Sequence, residues 1–225
     1  KADIIIHLAA NARVYNLVVN PKLAKDNVST VFNVCEFARK KNIKKILFAS
    51  SREVYGDSGL ILHSEEDAYM KNCESPYTAS KVFGETLITS YMKCYEINYL
   101  IYRFSNVYGM YDGSDRVIPL FIEKMHKNKP IVIFGKDKLL DFTYIDDAVD
   151  GILLGIRNFN KAKNETYNIA NGKGNSILDV AKFISKKMKS TSKITIMNNR
   201  TGEVIKYVAK INKAKKRLNY KSKYT

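Results

Sequence analysis

Apolar positions along the first half of the chain fall into two textures. Residues 3–9 and 44–50 are near-continuous apolar runs without polar alternation, as in strands buried on both faces of a parallel sheet. Between them Val28, Val31, Phe32, Cys35 and Ala38 recur at helical spacing and predict a helix of roughly twenty residues after Pro21. A second helix is predicted over about 77–95, with Pro76 at its start and Val82, Phe83, Leu87, Ile88 and Tyr91 turned inward. A third strand is predicted over 97–103. Strand, helix, strand, helix, strand argues a parallel α/β sheet with right-handed crossovers.

After Asn106 the texture changes. Residues 108–115, rich in Gly and Asp, read as a loop, and the elements that follow are short. They are a helix over 117–128, a strand over 131–134, and a helix through Arg157 that Asp146 is expected to cap. A strand over 166–170 follows, then a helix to Met188 opened by Ser176-x-x-Asp179, which resembles a capping box. A strand over 193–197 and a short helix over 212–218 complete the pattern.

At 225 residues the chain can bury a sizeable core. Its formal net charge of +16 suits anionic partners, but the lysines are spread over many elements and read mostly as a solvated surface. Only 206–223 is densely basic, and it carries no recognised nucleic-acid module, so no nucleic-acid partner is expected. No apolar run is long enough to span a bilayer, and no membrane association is expected. Cys35, Cys73 and Cys94 lack metal-ligand spacing, so no metal is expected, and Cys35 and Cys94 read as small core residues. A reducing cytoplasm is the simplest compartment for them.

The candidate chemistry centres on residues 51–81. Tyr77 and Lys81 lie one helical turn apart on one face. An ammonium near a phenol favours the phenolate, and a Tyr so lowered acts as a general base. Ser51, at the tip of the preceding strand, offers a hydroxyl to the same substrate oxygen. Tyr-x-x-x-Lys alone is a weak signal where both residue types are abundant. Further segments stand in order around it: Ile6-His7-Leu8-Ala9-Ala10, Ser50-Ser51-x-x-Val54-Tyr55-Gly56, Arg103-Phe104-Ser105-Asn106-Val107-Tyr108-Gly109, Asp141-Phe142-x-Tyr144-Ile145-x-Asp147, Tyr167-Asn168-Ile169-Ala170 and Arg200-x-Gly202-Glu203-Val204. In this ordered set the chain resembles the extended short-chain dehydrogenase/reductase family, in its nucleotide-sugar epimerase/dehydratase branch.

The resemblance implies an α/β fold: a partial doubly wound, Rossmann-like parallel sheet with a small C-terminal substrate-binding lobe. Residues 1–105 would be the C-terminal part of an NAD-binding Rossmann domain. Residues 106–225 would be a mixed segment, mainly substrate-binding lobe with some return to the main sheet. NAD is the implied cofactor and a nucleotide-sugar the implied substrate, in a protein that is a homodimer when full length, paired through the helices near 22–41 and 77–95. Tyr77 would take the proton of the sugar 4-hydroxyl, Lys81 would hold the nicotinamide ribose, and Ser51 would bond the developing 4-keto oxygen. Leu8, Ala9 and Ala10 would line the cofactor ring, and Asn27 would support the strand carrying Ser51. Asn106, Arg116 and above all Arg200 would meet the nucleotide-sugar, Arg200 through bidentate phosphate contact. His7, inside a strand, reads as a structural group.

The residues after Ser51 bear on the reaction. Where the family's dehydratases often have Asp-Glu, this chain has Arg52-Glu53. Glu53 can serve as a C5 base or as a structural acceptor, whereas Arg52 cannot serve as an acid. Arg52 either meets a carboxylate or phosphate, or faces outward. Leu140 stands where the family usually has Arg, so that phosphate contact is lost or supplied by Lys136 or Lys138. The reading is an NAD-dependent nucleotide-sugar epimerase, with a UDP-hexose 4-epimerase foremost. The alternatives are a 4,6-dehydratase or UDP-glucuronate decarboxylase, and a catalytically inactive, basic binding or scaffold protein.

No Gly-rich turn of the kind that cradles a dinucleotide pyrophosphate occurs in these residues, and the family places it upstream of the strand at 3–9. Roughly sixty residues are therefore expected before Lys1, and the strand at 3–9 is expected to have an open edge. The 225-residue chain by itself is predicted to bind NAD poorly and to be inactive alone. Isothermal titration of that chain with NAD should give little heat, and a micromolar dissociation constant would contradict the expectation.

Overall fold

The computed structural model describes residues 2–224. In chain order its elements are β1 (Ile5–His7), α1 (Val14–Val19), α2 (Lys22–Lys40), β2 (Lys45–Ser51), a 3-10 turn (Arg52–Tyr55), β3 (Leu62–His63), α3 (Pro76–Tyr95), β4 (Asn98–Phe104) and β5 (Asn106–Tyr108). There follow α4 (Val117–His126), β6 (Ile131–Phe134), β7 (Leu139–Tyr144), α5 (Ile145–Arg157), α6 (Phe159–Ala162), β8 (Glu165–Ile169) and β9 (Gly174–Ser176). The last are α7 (Ile177–Met188), β10 (Ile194–Met197), β11 (Lys206–Ala209) and α8 (Asn212–Leu218).

The main sheet has the order β1-β2-β4-β8, parallel throughout. Its strands alternate between two cores. Ile46, Phe48, Tyr99 and Ile101 face Val31, Cys35 and Ala38 of α2 and Ile88 and Tyr91 of α3. Leu47, Leu100, Tyr102, Tyr167 and Ile169 face the larger core with Phe159, Ala162, Ala214 and Leu218. Burial on both faces is why these strands read as unbroken apolar runs. The packing of α3 on β2 is close: a Cβ at Gly84 would lie 2.6 Å from the Phe48 ring. β1 forms an edge of this sheet, with Ile6 and Leu8 exposed.

A second sheet, β3-β11-β7-β5, is extended by β9 antiparallel to β7, and β6 pairs with β10. Asp141, inside β7, ties these parts together. Its carboxylate accepts N–H bonds from Asn171 at 3.1 Å, Gly172 at 2.9 Å and Ala209 at 3.2 Å. Asp147 does the same for the chain's end, accepting from the Ser222 hydroxyl at 2.8 Å and from the Lys223 and Tyr224 N–H at 2.9 and 3.1 Å.

Several expectations need correction. The helix after β7 begins at Ile145 with Tyr144 at its cap position, so Asp146 sits in the first turn and does not cap it. Phe32 and Phe83, expected inward, are 46% and 38% exposed, because Asn27 and Gly84 occupy the inward lines of α2 and α3. Cys94 is exposed, while Cys35 is buried as expected. The Ser176 cap on α7 is present, its side chain accepting the Asp179 N–H at 3.3 Å. No described helix is long and apolar enough to cross a membrane.

Burial pushes the Asp141 carboxyl up to about 6 against its three N–H donors. A carboxyl raised in the folded state contributes stability below its unfolded pKa of 3.8 that is lost as pH rises through about 6. Chemical denaturation should therefore show stability falling between about pH 4 and 6. Asp141→Asn should flatten that fall and cost about 1–3 kcal/mol, since its amide turns a donor toward N–H groups.

Candidate active site

β2 delivers Ser51, and the chain turns at once into the 3-10 segment, capped by the Ser51 side chain, which accepts the Glu53 N–H at 3.2 Å. Gly56 closes the turn at φ +57, where a Cβ would run into the Asn72 carbonyl. α3 starts with Ser75 as its cap, accepting the Thr78 N–H at 3.2 Å, and with Pro76 in the first turn. Tyr77 thus sits at the head of the helix and Lys81 one turn below, 6% and 5% exposed. Ser51, Glu53, Tyr77 and Lys81 line one cleft of about 460 Å³.

The cleft lies where the carboxyl ends of β1, β2 and β4 meet β5, α4 and the 200–203 segment. Lys81 Nζ donates to the Ala49 carbonyl of β2 at 2.7 Å and stands 5.8 Å from the Tyr77 ring centroid. Below it, a network led by Arg103 of β4 locks β2 to α3. The Arg103 guanidinium forks onto Glu85 of α3 at 2.9 and 2.7 Å, and Glu85 also accepts the Ser50 hydroxyl at 2.5 Å. The same Arg donates to the Glu65 carbonyl at 2.6 Å and to the Tyr55 hydroxyl at 3.2 Å.

The expectation that Lys81 lowers the Tyr77 pKa is not met in this structure. Burial pushes the phenol up to about 12, with Ser51, Arg116 and Arg52 opposing the shift and Glu53 adding to it. Burial also pushes the Lys81 ammonium down to about 8, against the pull of Glu85. Removing water favours the neutral form of both groups, and the Lys81 hydrogen bond goes to a backbone carbonyl. His7 is lowered to about 4 by burial and then by Lys81, so it is neutral at pH 7, in keeping with a structural role.

Arg52 does not face outward. It is buried and paired with Glu53, Nη2 to Oε1 at 2.7 Å. Burial raises the Glu53 carboxyl despite that pairing. A second pair, Lys138 Nζ to Glu203 Oε2 at 2.5 Å, lines the same cleft, so Lys138 and Leu140 both reach it.

At the far end Arg200 is stacked, its guanidinium 3.8 Å from the Phe134 centroid and 4.9 Å from that of Tyr15. Exposed Arg116, preceding α4, and Asn106, whose amide donates to the Asp141 carbonyl at 3.0 Å, complete the lining among the expected residues. Leu8 and Ala10 line the cleft, whereas Ala9 is exposed outside it. Asn27 also lies off the lining. Its side chain bonds the Asn11 backbone at 2.7 and 3.1 Å and the Ser80 hydroxyl at 3.2 Å, so it fixes the segment after β1 and α3, not β2.

Sequence reasoning missed Arg13 and Tyr15, because α1 has too short a pattern to read. Arg13 forms an ion pair with Asp115 between two parts of the cleft wall. Reasoning from the sequence also gave Arg103 no role, although an Arg ending an apolar strand demands a buried partner, and that was a usable signal.

A model of the NAD dependent epimerase/dehydratase family matches residues 1–170. A putative UDP-glucose 4-epimerase of Methanocaldococcus jannaschii is 37% identical, over 94% of this chain and 70% of that protein. A dTDP-D-glucose 4,6-dehydratase of Dictyostelium discoideum is 33% identical, over 82% of this chain and 44% of that protein. The crystal structure of a Thermotoga maritima UDP-glucose 4-epimerase with UDP-glucose superposes with a TM-score of 0.89, at 28% identity, over 99% of this chain and 73% of that one. The chain belongs to the NAD dependent epimerase/dehydratase family. Its fold is the Rossmann-like α/β architecture shared with these epimerases.

An ammonium held in a dry cleft is a stability liability kept for another purpose. Lys81→Met is expected to stabilise the fold by about 1–2 kcal/mol at pH 7, the desolvation relieved less the Ala49 hydrogen bond lost. A base lowered in the folded state gains stability as pH rises from about 8 toward 10.5, and urea denaturation of Lys81→Met should lack that rise.

Proposed function

We propose that the protein is an NAD-dependent nucleotide-sugar epimerase, a UDP-hexose 4-epimerase, working through a transient 4-keto sugar. The observation that carries this reading is the convergence of Ser51, Tyr77 and Lys81 on one cleft. In this reading Tyr77 accepts the proton of the sugar 4-hydroxyl. Burial holds Tyr77 as a neutral phenol, so this role requires the Lys81 ammonium, near its ring, to stabilise the phenolate against that burial. Ser51 bonds the same oxygen as carbonyl character develops. Arg200 and Arg116, with Asn106, hold the nucleotide end.

The residues present fit the nicotinamide end of the cofactor: Leu8 and Ala10 form an open apolar ledge at the tip of β1, and Lys81 stands on the adjoining wall. NAD supplies the reversible two-electron redox capacity that the sugar carbon requires. A second reading, a 4,6-dehydratase, is favoured by one observation: Glu53, which lines the cleft with Tyr77, is a buried carboxyl with a raised pKa, and so a stronger base for the C5 proton. We further propose a homodimer paired through α2 and α3, whose Phe32 and Phe83 are exposed, and a cytoplasmic location.

Incubation of the full-length protein with NAD and UDP-glucose, UDP-glucuronate or dTDP-glucose separates these readings by product. Epimerisation conserves mass and inverts one centre, dehydration loses water and decarboxylation loses carbon dioxide. Tyr77→Phe should lower kcat by about 10²–10⁴ while leaving UDP-glucose binding intact. Unchanged turnover would instead support an inactive scaffold.

A further inference from the structure

Three cations of the cleft are already committed inside it. Arg52 is paired with Glu53, Lys138 with Glu203, and Lys81 donates to the Ala49 carbonyl. Lys136 is exposed and lies off the lining. Neither Lys136 nor Lys138 is therefore placed to replace the arginine missing at Leu140. Arg13 is differently situated. It and its partner Asp115 both line the cleft, with the guanidinium side chain 30% exposed and the carboxylate 78%. An ion pair so exposed contributes little, because water serves each partner nearly as well.

The two arginines assigned to the nucleotide end stand on either side of this pair. Tyr15, two residues beyond Arg13, has the Arg200 guanidinium 4.9 Å from its ring centroid, and Arg116 follows Asp115 directly. Among the described residues neither Arg116 nor Arg200 is in an ion pair. Asp112 registers the same clustering. Burial opposes its ionisation, yet the Ser114 hydroxyl and N–H, and then Arg116 and Arg13, hold its carboxyl below the ordinary range. This end of the cleft thus has two unmatched guanidiniums and a third whose only counter-charge is a loop carboxylate open to water.

We propose that Arg13 is a further diphosphate-binding residue, which exchanges Asp115 for a phosphate when the nucleotide-sugar binds. This rests on the nucleotide-sugar reading above. A guanidinium meets a phosphate with the same two-pronged geometry as a carboxylate, and a diphosphate brings more charge to it. Arg116 and Arg200 favour the incoming anion, whereas they are too few to be satisfied by Asp115 alone. The released Asp115, already mostly exposed, is taken up by water. Asp115 is in this account a built-in competitor of the ligand. NAD also carries a diphosphate, but the neighbourhood of Arg116 and Arg200 assigns Arg13 to the substrate's.

The test is isothermal titration of the full-length protein with UDP at saturating NAD, and with NAD alone. Arg13→Ala should weaken UDP binding about 10-fold, as expected for one lost charge-assisted contact. Asp115→Asn should strengthen it by about 2- to 5-fold, because the competitor is gone. NAD affinity should change in neither variant. The opposite signs are the signature, since a pair that only ties the cleft walls together is broken equally by both substitutions. In turnover of UDP-glucose, Arg13→Ala should raise KM and leave kcat within about 2-fold, a contact made alike in ground and transition states. Unchanged UDP binding by Arg13→Ala overturns the proposal, as do equal effects of the two variants, or a loss confined to NAD. Should Arg13→Ala fail to fold, Asp115→Asn decides, and unchanged or weaker UDP binding overturns the proposal. Each of these results leaves the functional reading standing, whereas a wild type that binds no UDP sinks both.

Discussion

The candidate site depends on one buried guanidinium. Arg103, next to last in β4, grips Glu85 with two bonds, while Glu85 holds Ser50, next to last in β2. Ser50 is the neighbour of Ser51, and Glu85 shares a helix with Tyr77 and Lys81. The network therefore sets how far the strand-borne hydroxyl stands from the helix-borne phenol and ammonium. Its third arm, to Tyr55 and the Glu65 carbonyl, fixes the turn that carries Arg52 and Glu53. Bidentate Arg–carboxylate geometry suits this role because it constrains orientation as well as distance. With either partner removed, the other would remain as an unpaired buried charge, which is far more damaging than the intact pair is stabilising.

Desolvation is the common cause of the unusual acid–base properties found here. It raises Tyr77, lowers Lys81, raises Glu53 and, outside the cleft, raises Asp141. In every case burial is the largest influence; most hydrogen bonds and nearby charges temper it, while Glu53 adds to the rise of Tyr77 and Glu203 to that of Glu53. A phenol and an ammonium brought together in water would have lowered the phenol's pKa and raised the ammonium's through charge. Here both are shielded first, and each is pushed toward its neutral form. A ligand that fills the cleft and restores polar contact to these groups would shift both back toward their charged forms.

The central elements were legible because their causes are local. Continuous apolar runs gave β2 and β4, helical spacing gave α2 and α3, and the Ser75-Pro76 and Ser176 starts carried their own capping chemistry. The meeting of Ser51, Tyr77 and Lys81 on one cleft followed from spacing and from the ordered resemblance. The second sheet was not legible. β3 and β5 are two and three residues long, and β7 carries a buried Asp at its centre that reads as a loop residue. That carboxylate is tolerated only because it accepts bonds from residues 171, 172 and 209, which no local pattern can announce. Phe32 and Phe83 misled for a similar reason: side-chain size suggested burial, but a polar Asn27 and a Gly84 took the inward positions. Arg52 was ambiguous because its partner is the adjacent residue, and only coordinates show that the pair folds inward.

The cleft spans two kinds of construction. Its reactive end rests on regular strands and a long helix whose positions are fixed by two cores and the Arg103 network. Its other end, with Asn106, Arg116 and Arg200, is built from short strands and connecting segments. These share the larger core with the main sheet, and two carboxylates, Asp141 and Asp147, gather amides from distant parts of the chain around them. Rigid placement suits groups that must exchange a proton over one hydrogen-bond length. At that end the Arg200 guanidinium is held by stacking on Phe134 and Tyr15. Sequence signals concentrate at the first end for the same reason: tight geometry permits few residue types, and adaptable geometry permits many.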